Sequence, residues 1–466
     1  MRQFAATTAL LLFSACAHAA EPPASPDPDL ATIPQAVLSA PTPTRSAAPV
    51  ASSDSRIFLE SALTSWSMQN NILVPAPGVQ PTLQERLSLD ILQSEIVTPM
   101  LRFSFSDRLN AFAQDGVALS SSESLRNDLR EAFASIEMPS QTFIEVGRIV
   151  LRNGTALGYN PTDFFRPRTE VNLASIDPSA SRENRLGVLM VQGQKLFDSA
   201  AVTVAFAPEV QHASPLVTVA PALFDPRFGQ TNSSTRFLGS VDFKVAGLNP
   251  QILVCQDEIG THFGADLSYV VSNSVVGYAE WSGCDSGTLS RRAISFGQLT
   301  GKLPTEIPLI PQSSIGTQFQ NDVAVGASWT SSYRLTLNLE LHYHQSGFTQ
   351  TDFDRWINLG RSNRLAAQEL WFIREYAMDQ QEPLIQRQVF VRVDWQDAFV
   401  QYLNLGLVSF VNPFDGSSLT QLSAQYTISK RWTLGMYVGH IFGGPKTEKG
   451  SVPWSTNAVF QIVRYL

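Results

Sequence analysis

Long apolar runs are what this 466-residue chain most plainly lacks. Beyond its first 20 residues no stretch stays apolar for the roughly 18 residues that a membrane-crossing helix needs. Charge is scarce as well. Asp, Glu, Lys and Arg make up 16% of the chain, against a usual figure of about 25%. The first shortage excludes helical membrane spans. The second sits badly with an ordinary soluble domain, and together they suit strands that show lipid on one side and water on the other. A formal net charge of -8 and a pI near 5.4 leave no basic surplus for a nucleic-acid partner. With 6 histidines and 3 cysteines there are few soft ligands, and no Ser, His and acid fall at a spacing that marks a lipase or protease. Neither a cofactor nor a metal is expected.

The chain opens with Arg2, an apolar run over residues 4–13 and the small-residue site Ala17-His18-Ala19, so residues 1–20 read as a secretory signal that is removed. A competing reading makes Phe13-Ser14-Ala15-Cys16 a lipoprotein signal that acylates Cys16. Residues 21–55, rich in Pro, Ala and Ser, read as a periplasmic linker with no core of their own. Residues 56–466 remain for a transmembrane barrel.

Within them alternation of period two is the dominant pattern. It places strands near 56–69, 96–106, 109–118, 128–138, 142–152, 186–197, 201–208, 235–247, 251–258, 262–271, 275–283, 319–330, 334–345, 387–396, 399–411, 419–428, 432–442 and 455–466. That is about eighteen, an even number suited to an antiparallel up-and-down barrel. The connections sort by length. Short turns such as Asp107-Arg108, Ser272-Asn273-Ser274 and Ser429-Lys430-Arg431 alternate with the long segments 153–185, 209–234, 284–318, 346–386 and 443–454. If both termini lie in the periplasm, every long segment is extracellular. Residues 56–106 are ambiguous, because Leu87, Leu89, Ile91 and Ile96 fit a strand or a short helix. Cys255 and Cys284 fall on strands separated by a third, a gap near 9.6 Å from about 4.8 Å per strand, which is too wide for a disulfide.

The alternation also assigns faces. In 334–345 Leu335, Leu337, Leu339, Leu341 and Tyr343 turn to lipid, leaving Arg334, Thr336, Asn338, Glu340, His342 and His344 to the lumen. By the same reading Arg392 and Asp394, and Asp242 and Lys244, line the pore. His342 and His344 stand two apart beside Glu340, a spacing open to metal or acid-base chemistry, but no third-ligand motif accompanies them and solvated lumenal histidines are the favoured reading. In the last strand Ala458, Phe460, Ile462 and Leu466 share one face with Arg464, while Asn457, Gln461 and Tyr465 share the other with Val459 and Val463. An Arg near a strand end snorkels to headgroups. This terminal strand resembles the closing strand of bacterial outer-membrane β-barrels, which implies the barrel assembly machinery, outer-membrane lipid and lipopolysaccharide as partners and the outer membrane as location.

Residues 129–168, LREAFASIEMPSQTFIEVGRIVLRNGTALGYNPTDFFRPR, are the least generic stretch. Arg130, Glu131, Ala132 and Phe133, then Gly147 and Arg148, then Gly154, and finally Asn160, Pro161, Thr162 and Asp163 resemble the group of outer-membrane barrels that includes alginate-export-like channels. Gly154, Gly158 and Pro161 set a turn just past a strand end. Phe164 and Phe165 can then pin the loop to the wall, with Asp163, Arg166 and Arg168 either forming a lumenal constriction or, in Asp163's case, only capping the turn. Arg148 either binds an anionic solute or pairs with Glu131 or Glu145, the pairing being favoured. An amphipathic helix is expected within 362–381, as a lid or plug or, by slight preference, resting on the rim.

The reading that follows is a channel, not an enzyme, for passive passage of a hydrophilic solute, anionic if the lumenal arginines set the preference. No plug domain of the size energised receptors carry is expected ahead of the barrel. Three alternatives stay open: an exporter of an acidic polysaccharide, an enzyme built on His342 and His344, and a carrier of apolar compounds with a lateral opening near Arg148.

Overall fold

The computed structural model describes residues 54–76, 81–116, 119–171, 174–216, 223–245, 247–305 and 317–466. The expected signal at 1–20 and all but the last two residues of the linker at 21–55 lie outside the described residues.

Eighteen strands form one sheet. They are β1 (Asp54–Met68), β2 (Leu83–Thr98), β3 (Leu101–Gln114), β4 (Leu125–Met138), β5 (Thr142–Ile149), β6 (Val188–Leu196), β7 (Ala200–Ala207), β8 (Arg236–Phe243) and β9 (Leu248–Gln256). The second half holds β10 (Thr261–Ser272), β11 (Val275–Ser286), β12 (Gln318–Thr330), β13 (Leu335–His344), β14 (Arg387–Trp395), β15 (Leu403–Val411), β16 (Ser418–Ser429), β17 (Trp432–Phe442) and β18 (Trp454–Tyr465). Each pairs antiparallel with its chain neighbours, and β1 pairs with β18 from Phe58↔Tyr465 to Met68↔Trp454, so the sheet closes. Closure removes both free edges.

The connections from even to odd strands are short, from 99–100 up to 396–402, and define one end of the barrel. The long segments all leave the other end. The side chains follow the pleat: Leu337, Leu339 and Leu341 of β13 are exposed on the outer face, while Thr336, Asn338, Glu340, His342 and His344 are buried inside. In β18 Arg464 does lie on the outward face, and its guanidinium rests over the Trp432 ring at 5.4 Å.

The expected break at Asp107-Arg108 is a correction. β3 runs straight through it, and the turn is at residues 99–100, so residues 83–98 form a strand of their own. Two charges side by side resemble a turn, but Arg108 points inward and binds Glu60 at 2.7 Å and Asp90 at 3.4 Å. The local irregularity is a bulge in β4, where Ser106 faces Glu131, Asp107 faces Leu129 and Arg130 is the extra residue.

Three helices stand over the long-loop end: α1 (Leu289–Leu299), α2 (Gln350–Ser362) and α3 (Arg364–Asp379). Each begins at a side-chain cap, from Thr288, Thr349 and Asn363 in turn. Their apolar faces meet in one cluster that includes Ile294, Phe353, Trp356, Leu370, Phe372 and Ile373, and Val74, Leu216 and Leu384 from three loops join it. The helix expected within 362–381 is therefore part of a cap with a core of its own. Cys255 and Cys284 are buried and free, as the strand spacing required.

Candidate functional site: an inward-folded loop

β5 is eight residues long, and past Ile149 the chain turns into the barrel instead of continuing up the wall. The described residues 150–171 and 174–187 cross the interior and return to begin β6. What seats them is a run of backbone N–H groups. Gly154 takes φ +78°, and a Cβ there would fall within 2.5 Å of Asn160 Oδ1, Thr162 Oγ1 and Glu280 Oε1, so only glycine fits. The next four amides then point at two wall carboxylates. Thr155 and Ala156 donate to Glu280 of β11, and Leu157 and Gly158 donate to Glu340 of β13 at 2.7 and 2.9 Å. Thr162 Oγ1 adds a 2.8 Å bond to Glu280, and Thr155 Oγ1 reaches Asp266 at 3.2 Å. Charged acceptors roughly double the strength of such bonds.

The wall is built to hold those carboxylates still. Tyr278 donates to Glu340 at 2.7 Å, lying across Gly326, where a Cβ would meet the Tyr278 ring at 2.7 Å and Glu340 Cγ at 2.8 Å. His342 Nε2 stands 2.8 Å from Glu340 on the other side. Further along, Arg185 grips Asp163 at 2.6 Å, Arg392 holds Asp177 at 2.8 Å, Gln421 holds the Ile176 amide at 3.1 Å, and Arg130 reaches Asn184 at 2.9 Å. The loop is thus tied to β4, β10, β11, β13, β14 and β16, most of the way round the barrel.

The expected site residues distribute as follows. Glu340, His342, His344, Arg392, Asp394 and Asp242 are inward-facing, but Glu340 and His342 hold the loop and are not free lumenal groups. Asp242 accepts from Gln251 at 2.7 Å, and Arg392 also contacts Asp394 at 2.6 Å. Arg334 and Lys244 are corrections. Both stand at the short-turn end: Arg334, at φ +58°, is exposed and pairs with Asp397, and Lys244 is exposed past the end of β8. A residue one position beyond a strand no longer obeys its alternation.

Asp163 and Arg168 are also corrected. Asp163 is spent on Arg185 inside the loop. Arg168 is a hub: it binds Asp379 of α3 at 2.9 Å, the carbonyls of Gly229 and Ser214 at 2.9 and 2.7 Å, and lies over Phe296 of α1 at 5.0 Å. It ties the inward loop to the cap. Arg166 is partly buried over Tyr159 at 5.0 Å and donates to Asn160 O at 2.8 Å. Arg148 pairs with neither Glu131 nor Glu145 and donates instead to Pro226 O, while Glu131 accepts from Val150 N at 3.3 Å. In the family-like motif, Gly147 takes φ +137°, and its missing side chain lets β5 lie against Phe133 and Ala132.

The residues that alternation missed are Glu280, Asp266, Asp177 and Arg185. Nothing marks a single acid in an alternating strand as a loop anchor. Also unforeseen was an inner wall of charge over β1–β4. Arg86 and Arg108 share Glu60, Arg130 binds Asp90, and Arg126 and Arg227 share Asp128. Five guanidinium groups, four from β2–β4 and Arg227 from the β7–β8 connection, gather around these three carboxylates, with Glu131 of β4 on the same inward face.

Where loop, cap and wall meet, Asp322, His344 and Ser346 stand in line, with His344 2.7 Å from Asp322 and 2.9 Å from Ser346. The order is that of a hydrolase triad. Ser346, however, is buried and takes a 3.0 Å bond from Arg292, which itself pairs with Glu382 at 2.7 Å, so the hydroxyl is covered by the cap. Burial pushes the Glu382 carboxyl up, but Arg292 and His344 outweigh it and hold the group down at about 2. No set of three or more His, Cys, Asp or Glu able to hold a metal occurs among the described residues.

No protein-family model and no curated protein matches the chain. Among solved structures the fold is similar to Acinetobacter baumannii OccAB1, at 10% identity and a TM-score of 0.52, covering 89% of this chain and 96% of that one. It is similar also to Pseudomonas aeruginosa OccK11 (OpdR), at 9% identity and a TM-score of 0.50, with the same coverage. The chain has a porin-like barrel fold.

Proposed function

We propose that the protein is an outer-membrane channel that passes a small, hydrophilic, anionic solute without energy input, with the long-loop end outside the cell and both termini in the periplasm. The observation that carries this reading is the cluster of guanidinium groups at the inner wall of β1–β4, where Arg86, Arg108, Arg126 and Arg130, joined by Arg227 from the β7–β8 connection, gather around Glu60, Asp90 and Asp128. Confined charge of one sign raises the local concentration of its counter-ion and sets ion preference. The inward loop and the helical cap narrow the conduit, which favours a small selected solute over a threaded polysaccharide. Dedicated catalysis at His342 and His344 finds no support, since His342 is occupied by the loop anchor Glu340 and His344 is held between Asp322 and a Ser346 that the cap covers.

The test is the reversal potential of single channels in a planar bilayer under a KCl gradient. Anion preference is expected, shifting toward cations in Arg126→Glu, the most exposed of the five clustered guanidiniums. Cation preference in the unaltered protein would sink the reading.

A further inference from the structure

The β4–β5 ladder stops at Ala132↔Arg148, and β6 begins opposite Ile149 at Val188. Above that level, among the described residues, only Gly187, whose amide donates to Arg130 O at 2.7 Å, makes a backbone bond to the free edge of β4. Residues 125–129 therefore have no strand beside them on that edge among the described residues. β5 has left the wall to enter the lumen, and the wall has a notch toward the long-loop end.

The described segment 223–232, from the β7–β8 connection, fills the notch. Arg227, at φ +56°, sends its guanidinium to buried Asp128, Pro226 O accepts from Arg148, and Asn232 closes the end of β6 through Leu189 N at 2.9 Å and Leu189 O at 2.8 Å. This is a stopper held by side chains, where the rest of the barrel is held by ladder bonds. Behind it the inner wall is apolar: Ile149, Val188, Met190, Ala205 and Leu238 form a continuous strip with Phe165 of the loop against it.

At the sill stands Arg148. Its pairing with Ala132 and Leu189 puts it on the outward face, yet it is only 3% exposed. One nitrogen is held by Pro226 O and its plane lies over Phe228 at 5.7 Å, while Nε and Nη2 have no partner. Those two form the side-on fork that matches a carboxylate, and a buried donor pair left empty is costly. No carboxylate among the described residues lies within ion-pair reach of it.

We propose that this notch is a lateral portal for a single-chain amphiphile with an acid headgroup, the headgroup docking on the Arg148 fork and the chain passing under segment 223–232 onto the apolar strip. This goes beyond the axial passage of a hydrophilic solute and does not depend on it.

The probe is palmitate carrying a terminal diazirine, added to the full-length protein in liposomes, with labelled residues mapped by mass spectrometry. Labelling of Met190, Phe165 or Leu238 is expected, rising severalfold in Arg227→Ala and falling at least tenfold in Arg148→Gln. Hexadecanol with the same diazirine should label the strip about as weakly as palmitate does in Arg148→Gln. Arg148→Lys, which keeps the charge but not the fork, should fall between. Heat-modifiable migration on gels verifies that each variant is folded, and any that is not is replaced by Phe228→Ala, which should also raise strip labelling. Label confined to outward residues such as Val146, Val191 and Val204 in every variant would overturn the portal. Equal strip labelling by palmitate and hexadecanol would overturn the headgroup site. Label on Arg148 neighbours only, matched by a diazirine phosphatidic acid, would make Arg148 a lipid anchor and overturn the proposal too.

Discussion

Replacing Glu280 with Ala removes in one step the acceptor for three short bonds, from Thr155 N, Ala156 N and Thr162 Oγ1, and for a longer one from Thr162 N at 3.4 Å. A hydrogen bond to a charged group contributes about 1.5–3 kcal/mol. Three that share one carboxylate do not add in full, so the seat of the loop should weaken by about 3–5 kcal/mol. Since about 1.4 kcal/mol is a tenfold change in an equilibrium, the unseated loop becomes at least about a hundredfold more populated. Glu340→Ala, which removes the bonds to Leu157 and Gly158, should have a similar effect, and the double variant should leave the loop free. Two measurements read this. Single-channel conductance should rise and become noisy, and trypsin should cut after Arg182, whose side chain now lies against the carbonyls of Asn153 and Gly154. If conductance and cleavage are unchanged in the double variant, the carboxylate clamp does not hold the loop and the reasoning fails.

Gly326→Ala should drive Tyr278 off Glu340 and cost about 1–3 kcal/mol of overpacking, visible as a lower urea midpoint for the folded barrel in micelles. Leu339→Arg puts a charge on the lipid face and should cost about 2–4 kcal/mol near the bilayer centre, whereas Gln425→Arg, lumenal and exposed, should change the same midpoint little. Glu382 has a folded-state value near 2, below the ordinary carboxylate value, so its contribution to cap docking is complete at neutral pH and is lost as pH falls from about 4 toward 2. Emission from the buried cap residues Trp356 and Trp371 should shift to the red over that range in the wild type, and Glu382→Gln should show the loosened signal already at pH 7.

The barrel itself was legible because an apolar outer face and a polar interior impose a period of two that few other folds sustain so long. β13 shows why this works: outward Leu337, Leu339 and Leu341 are exposed and each inward polar residue is buried. The reading failed where a charge sat mid-strand. Arg108 resembled a turn residue because its partners Glu60 and Asp90 lie 48 and 18 positions away, and a one-dimensional pattern does not report an ion pair. The turn chemistry of residues 153–163 was visible in Gly154 and Pro161, and so was a loop with lumenal business. What the loop binds was not visible, since Glu280 and Glu340 look like any lumenal acid. Arg166 and Arg168 looked equivalent in sequence, yet Arg168 is consumed by Asp379 and two carbonyls, and only the fold of the cap decides that. Of the helices, the spacing of Leu370, Ile373 and Tyr376 pointed to α3, but not to the partners that turn it into a cap.

The claim on which the rest depends is that residues 150–187 sit inside the barrel and set the size and preference of the conduit. The direct measurement compares single-channel conductance and reversal potential of the full chain with those of a variant in which a short Gly-Ser turn replaces residues 153–185. Conductance should increase severalfold, with anion preference reduced but still present because the arginine wall of β1–β4 remains. Unchanged conductance and unchanged reversal potential would place the loop outside the path and contradict the account.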